Sequence, residues 1–147
     1  MNETKPSRTF YLLTSYYGLL QSFHLLLLAR AGWYLIQNRT MPFPAPPPPG
    51  GWPGSALPYM LGMGLVDLLA ISLGLVYVYC FTIRKEVNLT VGLISLTAAL
   101  SSGIVYLVGT IPSGAWGANP LAYLAVLLLF SPVLPLYYLI IQQIEKK

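Results

Sequence analysis

Three side chains in this sequence could do chemistry in an apolar setting: His24, Asp67 and Arg30. Asp67 is the one charge within Leu57–Ile83, LPYMLGMGLVDLLAISLGLVYVYCFTI, a run long enough to cross a bilayer as a helix. A carboxylate near the bilayer centre is costly unless it is neutral, paired or facing a wet cavity. Asp67 therefore calls for a partner, and two roles stand open: an anchor for a ligand or proton, or a contact for assembly. His24 lies in the first apolar run, Phe10–Leu28. Counted inward from the outer boundary, near Arg30 on the first helix and Leu57 on the antiparallel second, at about 1.5 Å per residue, His24 is roughly 9 Å deep and Asp67 roughly 15 Å deep. A one-turn shift of either boundary brings them level, and a His–Asp pair would partly offset the burial of the carboxyl group. His24 could equally be a hydrogen-bonded packing residue. Arg30 lies nearer the interface, where its long side chain is expected to snorkel outward rather than reach in.

Tyr77 and Tyr106 could line such a site with ring faces and hydroxyls, as could Tyr79 and Tyr123. Trp33 and Trp52 would form part of its outer cover. Aromatic residues at helix ends also serve as interface anchors. No catalytic residue can be assigned. The chain has one histidine, no HExxH, no carboxylate cluster and no glycine-rich phosphate loop, so no metal or cofactor is expected. The single cysteine, Cys80, cannot pair within one chain and reads as a small apolar filler.

The elements that would position these residues follow from composition. Of 147 residues, 56% are hydrophobic and 8% charged, against roughly 25% charged in a soluble domain. The solvent must be mostly lipid. The expected fold is all-α: one polytopic membrane domain over residues 1–147, a four-helix transmembrane bundle. The helices are expected at about 10–36, 57–83, 89–111 and 120–141, with a Pro-rich outer loop at 38–55. In that loop, Pro46–Pro49 favours a stiff polyproline stretch. Ala29-Arg30-Ala31 resembles a signal-peptide cleavage site, but the apolar run before it exceeds the usual core of about 7–15 residues, so a retained helix is expected.

The net charge of +4 lies at the ends of the apolar runs. Lys5, Arg8, Arg84, Lys85, Lys146 and Lys147 fall on one side of a four-span bundle, and Arg30 and Arg39 on the other. The positive-inside rule then puts both termini in the cytoplasm. No nucleic-acid patch is present. The expected location is an integral multi-pass one, in the plasma membrane of a prokaryote or the endoplasmic reticulum of a eukaryote.

Lipid tails are as apolar as leucine, so small residues and interhelical hydrogen bonds must hold the helices together. Ser95, Ala99 and Gly103 form a small-residue stripe on the third helix, flanked by the hydroxyls of Thr97, Ser101 and Ser102. These serve either close helix packing or a polar lining to a cavity. Pro132 and Pro135 in the fourth helix free the carbonyls of Leu128 and Ser131. The outcome is either a structural kink or a widened pocket with open acceptors.

The segments QSFHLLLLARAG, GLVDLLAISLGLVYVYCFTIRK and FSPVLPLYYLI, with an aromatic and proline-containing first loop, resemble the EXPERA family of four-helix membrane proteins. That family includes emopamil-binding sterol isomerases and the sigma-2 receptor type. The resemblance covers about Phe10 to Lys147. It implies that Asp67 matches the acid that grips a cationic amine or a cationic sterol intermediate, and that His24 matches the first-helix histidine. Receptor-type members carry a second acid about two turns after that histidine, where this chain has Ala31-Gly32. A double-bond shift needs a proton donor and acceptor on opposite substrate faces, and only His24 and Asp67 could serve.

The leading expectation is an intramembrane pocket for an apolar, sterol-like or amine ligand, with a sterol-isomerase-like activity within its scope. A second is a non-catalytic accessory subunit or assembly factor of a larger membrane complex. A third is a small transporter built by oligomerisation. The expected partners are membrane lipid, an apolar small molecule, and a further copy of the chain or a membrane-complex subunit.

Overall fold

The computed structural model describes residues 6–39, 47–52, 54, 56–84 and 88–145. The described chain is all-helical. Helix α1 spans Arg8–Asn38, α2 Ala56–Tyr79, α3 Leu89–Thr110, α4 Ala115–Ala118, α5 Pro120–Phe130 and α6 Val133–Glu145. A π-helical turn, Cys80–Arg84, extends α2, and a 3-10 turn, Ile111–Ser113, extends α3. The result is four spans, Arg8–Asn38, Ala56–Arg84, Leu89–Ser113 and Pro120–Glu145, of 31, 29, 25 and 26 residues. At about 1.5 Å per residue each exceeds the roughly 30 Å hydrocarbon core of a bilayer. Length and apolar composition make this a multi-pass membrane protein. Residues 40–46 lie outside the described residues, as do Pro53 and Ser55, and with them half of the expected Pro-rich loop. Lys5, Lys85, Lys146 and Lys147 of the charge count also lie outside them.

Local signals set the helix ends. Ser7 caps α1, its Oγ accepting from the Phe10 amide at 3.2 Å. Asn88 does the same for α3 through Val91, also at 3.2 Å. Arg39 ends α1 in the left-handed region at φ 57°, its amide donating to the Leu35 carbonyl at 2.9 Å.

One end of the bundle is closed by a continuous core. Phe10 and Tyr17 of α1, Tyr77 of α2, Phe81 of the π turn, Leu89 and Leu96 of α3, and Leu136 and Ile140 of α6 pack together. This collects the start of α1, the end of α2, the start of α3 and the end of α6 at one face. Here it is called the inner end. There α6 packs on both α1 and α3, while α2 packs on α1 and α3, so the four spans close a ring. At the outer end a second cluster of Tyr106, Ala115 and Tyr123 stands under Trp52 and Trp116.

The fourth span is broken at Ser131-Pro132, between α5 and α6. The carbonyls freed there find partners. Ser131 Oγ donates to Leu128 O at 2.9 Å, and the Tyr16 hydroxyl of α1 donates to Leu129 O at 2.6 Å. The Leu134 amide donates to Ser131 O at 3.3 Å. The break is thus a satisfied kink, as hydrocarbon surroundings require. Beyond it, α5 meets α3 through large aromatic spacers. Tyr123 stacks on Tyr106 with centroids 6.3 Å apart, and the Phe130 ring faces Gly103.

Candidate functional site

The inward face of α1 is polar at heptad-like spacing: Thr14, Tyr17, Gln21 and His24. Residues three and four apart share one helix face, and here that face meets α2 and α3. Three polar rungs result. Nearest the inner end, Thr14 Oγ1 and the Tyr77 hydroxyl are 3.5 Å apart. Next, Ser95 Oγ donates its single hydrogen to the Ala70 carbonyl at 2.7 Å. The Tyr17 hydroxyl, 2.6 Å from Ser95 Oγ, must then be the donor in that pair. The third rung is His24, Asp67 and Ser102.

In the third rung Ser102 Oγ donates to Asp67 Oδ1 at 2.5 Å. His24 Nε2 stands 3.6 Å from Asp67 Oδ2. That is beyond ordinary hydrogen-bond length and within ion-pair range for a protonated imidazole. Oδ1 is therefore pinned by α3, while Oδ2 has no hydrogen bond among the described residues. The two side chains are 25% and 19% exposed, so the pair opens sideways from the bundle and is not sealed in it. The order of groups also limits the chemistry. In a hydrolytic triad the histidine sits between serine and acid. Here the acid sits between Ser102 and His24, so no imidazole base faces the serine hydroxyl.

Gln21 lies one turn inward from His24 on the same face. It is 1% exposed, and its Oε1 has no hydrogen-bond partner. Beside it hydrogens run one way, Tyr17 to Ser95 to the Ala70 carbonyl. The convergence depends on Gly74. A Cβ there would stand 2.9 Å from Ser95 Oγ and 3.1 Å from both Gln21 Cγ and Tyr17 Cε1.

Other expected residues fall elsewhere. Tyr77 is buried in the inner core, ten residues from Asp67, about 15 Å along the helix. Tyr106 is one turn beyond Ser102, buried, its hydroxyl 3.5 Å from that of Tyr123. Trp33 is 66% exposed, nine residues outward from His24. Trp52 lines a cavity of about 220 Å³ at the outer end with Tyr59, Met60, Gly109, Thr110 and Ser113, away from the His24–Asp67 pair. Ser95 and Ala99 of the stripe are buried inside the chain's own bundle, and Gly103 is half-buried there. Arg30 is exposed. Ser102, Gln21 and Tyr17 complete the polar seam. Their signal in the sequence is the spacing 14, 17, 21, 24 on α1 and 95, 102 on α3.

No family model, curated protein or solved structure matches this chain. Among the described residues no group of three or more His, Cys, Asp or Glu is placed to hold a metal.

Proposed function

We propose that this membrane protein binds an apolar amine, or a sterol-like molecule with a cationic or donor head, at a laterally open site in the bundle. Asp67 is the anchor. The observation that carries this reading is the asymmetric use of its carboxyl group: Oδ1 is held by Ser102, and Oδ2 is accessible and unbonded. A polar group in hydrocarbon without a partner is costly, and a donor arriving from the lipid would meet that need. His24 flanks the same oxygen and limits what fits beside it. The resemblance to the EXPERA family points to the same ligand class.

The geometry supports binding better than isomerisation. A double-bond shift needs donor and acceptor across the substrate. His24 and Asp67 face each other at 3.6 Å, which leaves no room for a sterol ring between them. The lysine and arginine distribution further supports cytoplasmic termini. The inner end of the bundle would then face the cytoplasm.

The test is binding of dodecylamine to the detergent-purified chain, with particle size measured alongside. The wild type should bind. Asp67→Asn should bind at least tenfold more weakly at unchanged size, as expected for loss of a charge-assisted hydrogen bond. Equal binding by both would overturn the reading.

A second reading has its own support in the sideways exposure of His24 and Asp67. In it, a neighbouring transmembrane helix supplies the missing donor, and the chain is an accessory subunit. That reading expects no amine binding, and a chain that aggregates when isolated.

A further inference from the structure

Resting on the amine-pocket reading, we infer that the ligand's apolar body lies in a lateral slot between α1 and α5, flanked by Leu27. The occupant is the alkyl chain of a cationic amphiphile, with its head inward at Asp67.

The slot exists because the fourth span leaves the bundle at its kink. Inward of Ser131-Pro132, α6 packs on both α1 and α3 and closes the ring. Outward of it, α5 packs closely on neither α1 nor α2. It reaches α3 through the stacked rings of Tyr106 and Tyr123. Only Tyr123 of its eleven residues is buried, whereas a helix seated in a bundle buries a stripe along its length. Leu124, Leu127, Leu128 and Leu129 are all exposed.

Asp67 looks into this open corner. Its carboxyl group stands against His24 of α1 and Ser102 of α3 at once. It therefore lies between the two helices that flank α2 and points to the side where the fourth span should stand. At that level the fourth span has reached Phe130, whose ring faces Gly103 beside Ser102. Further inward the core of Tyr17, Leu96 and Val133 shuts the space. The partial exposure of His24 and Asp67 is thus exposure to the slot.

On α1, Tyr16 marks the direction of the fourth span, because its hydroxyl reaches Leu129 O. Leu27 is eleven residues on, close to three full turns, and takes the same direction. Its neighbour Leu28 meets Gly64 of α2 instead. The walls are leucines and the inner end is an acid with one oxygen unbonded. A lipid acyl chain suits the walls as well as an alkyl amine does, but it brings no donor to Oδ2. The amine head does, and an unmet carboxyl group in hydrocarbon is costly.

The experiment measures dodecylamine binding to wild type, Leu27→Trp, Leu26→Trp and Asp67→Asn in one detergent, with particle size and thermal unfolding alongside. Leu26 is 68% exposed on the opposite side of α1. Leu27→Trp fills the slot and should weaken binding by about tenfold or more, as expected of an overpacked site. Leu26→Trp should stay within about twofold of wild type, since its ring enters lipid. Equal losses in both, or none in Leu27→Trp while Asp67→Asn still loses binding, would overturn the slot and leave the pocket standing. A wild-type dimer that Leu27→Trp splits without changing amine binding would assign the slot to a second copy and overturn the inference. Binding that never depends on Asp67 would overturn the pocket and the slot together. Should Leu27→Trp fail to fold, the wild type still decides. A dodecylamine bearing a terminal diazirine must then label α1 outward of His24 and α5, in a manner that excess dodecylamine suppresses. Suppressible labelling found only on α2, α3 or α6 would overturn the slot.

Discussion

Ser102 and Asp67 are joined across two helices by a short hydrogen bond, Oγ to Oδ1 at 2.5 Å. It fixes one oxygen of the only acid within the four apolar runs and leaves the other free. Interhelical hydrogen bonds in membrane proteins average about 0.6 kcal/mol, with the strongest near 1.7. Ser102→Ala should therefore destabilise the chain by about 1 kcal/mol. Thermal unfolding in detergent reads this directly, and an unchanged transition would show that the bond does not hold α2 to α3.

Gly74 is the point at which α1, α2 and α3 come together. Gly74→Ala forces Ser95, Gln21 and Tyr17 apart, and overpacking of this kind costs about 1–3 kcal/mol. Gly62 on the same helix has nothing within 4 Å of a built Cβ. Gly62→Ala should be neutral or slightly stabilising. Unfolding curves of the two variants should separate clearly, and coincident curves would refute the packing described for the seam.

The kink in the last span is sustained by two side chains. Ser131→Ala uncovers Leu128 O, and Tyr16→Phe uncovers Leu129 O. Each should lower stability by about 1 kcal/mol, the net worth of one hydrogen bond. Restoring the backbone donor with Pro132→Ala should recover most of the loss in the Ser131→Ala background. Failure of that rescue would mean that the carbonyl is satisfied in another way.

Much of the fold was legible because lipid imposes a simple rule. Four long apolar runs with basic ends read directly as spans, and α1 and α2 begin and end within a few residues of where hydropathy puts them. The π turn at Cys80–Arg84 and the split of the last span into α5 and α6 were less legible. The first leaves no mark in hydropathy. The second is signalled by Pro132 and Pro135, but which groups cap the freed carbonyls depends on Tyr16, 113 residues away from Leu129. At the site, depth set His24 and Asp67 about one turn apart, and the structure brings Nε2 to 3.6 Å from Oδ2. Ser102 and Gln21 were not assigned, because their roles arise from which helix faces meet. Tyr77 was set beside Asp67 by residue type, yet the helix carries it some 15 Å inward at about 1.5 Å per residue.

Topology is open to a direct check. With cytoplasmic termini, green fluorescent protein fused after Lys147 should fluoresce in a bacterial host, and alkaline phosphatase fused there should be inactive. The opposite pattern would invert the bundle and place its inner core at the external face.

The central claim is that the free oxygen of Asp67 receives a cation from within the bilayer. It is tested most directly by comparing dodecylamine with dodecanol, which shares its chain and lacks its charge, on wild type and Asp67→Asn. The account predicts that wild type prefers the amine by at least tenfold and that the preference vanishes in Asp67→Asn. A preference that persists without the carboxylate, or one that wild type never shows, would contradict it.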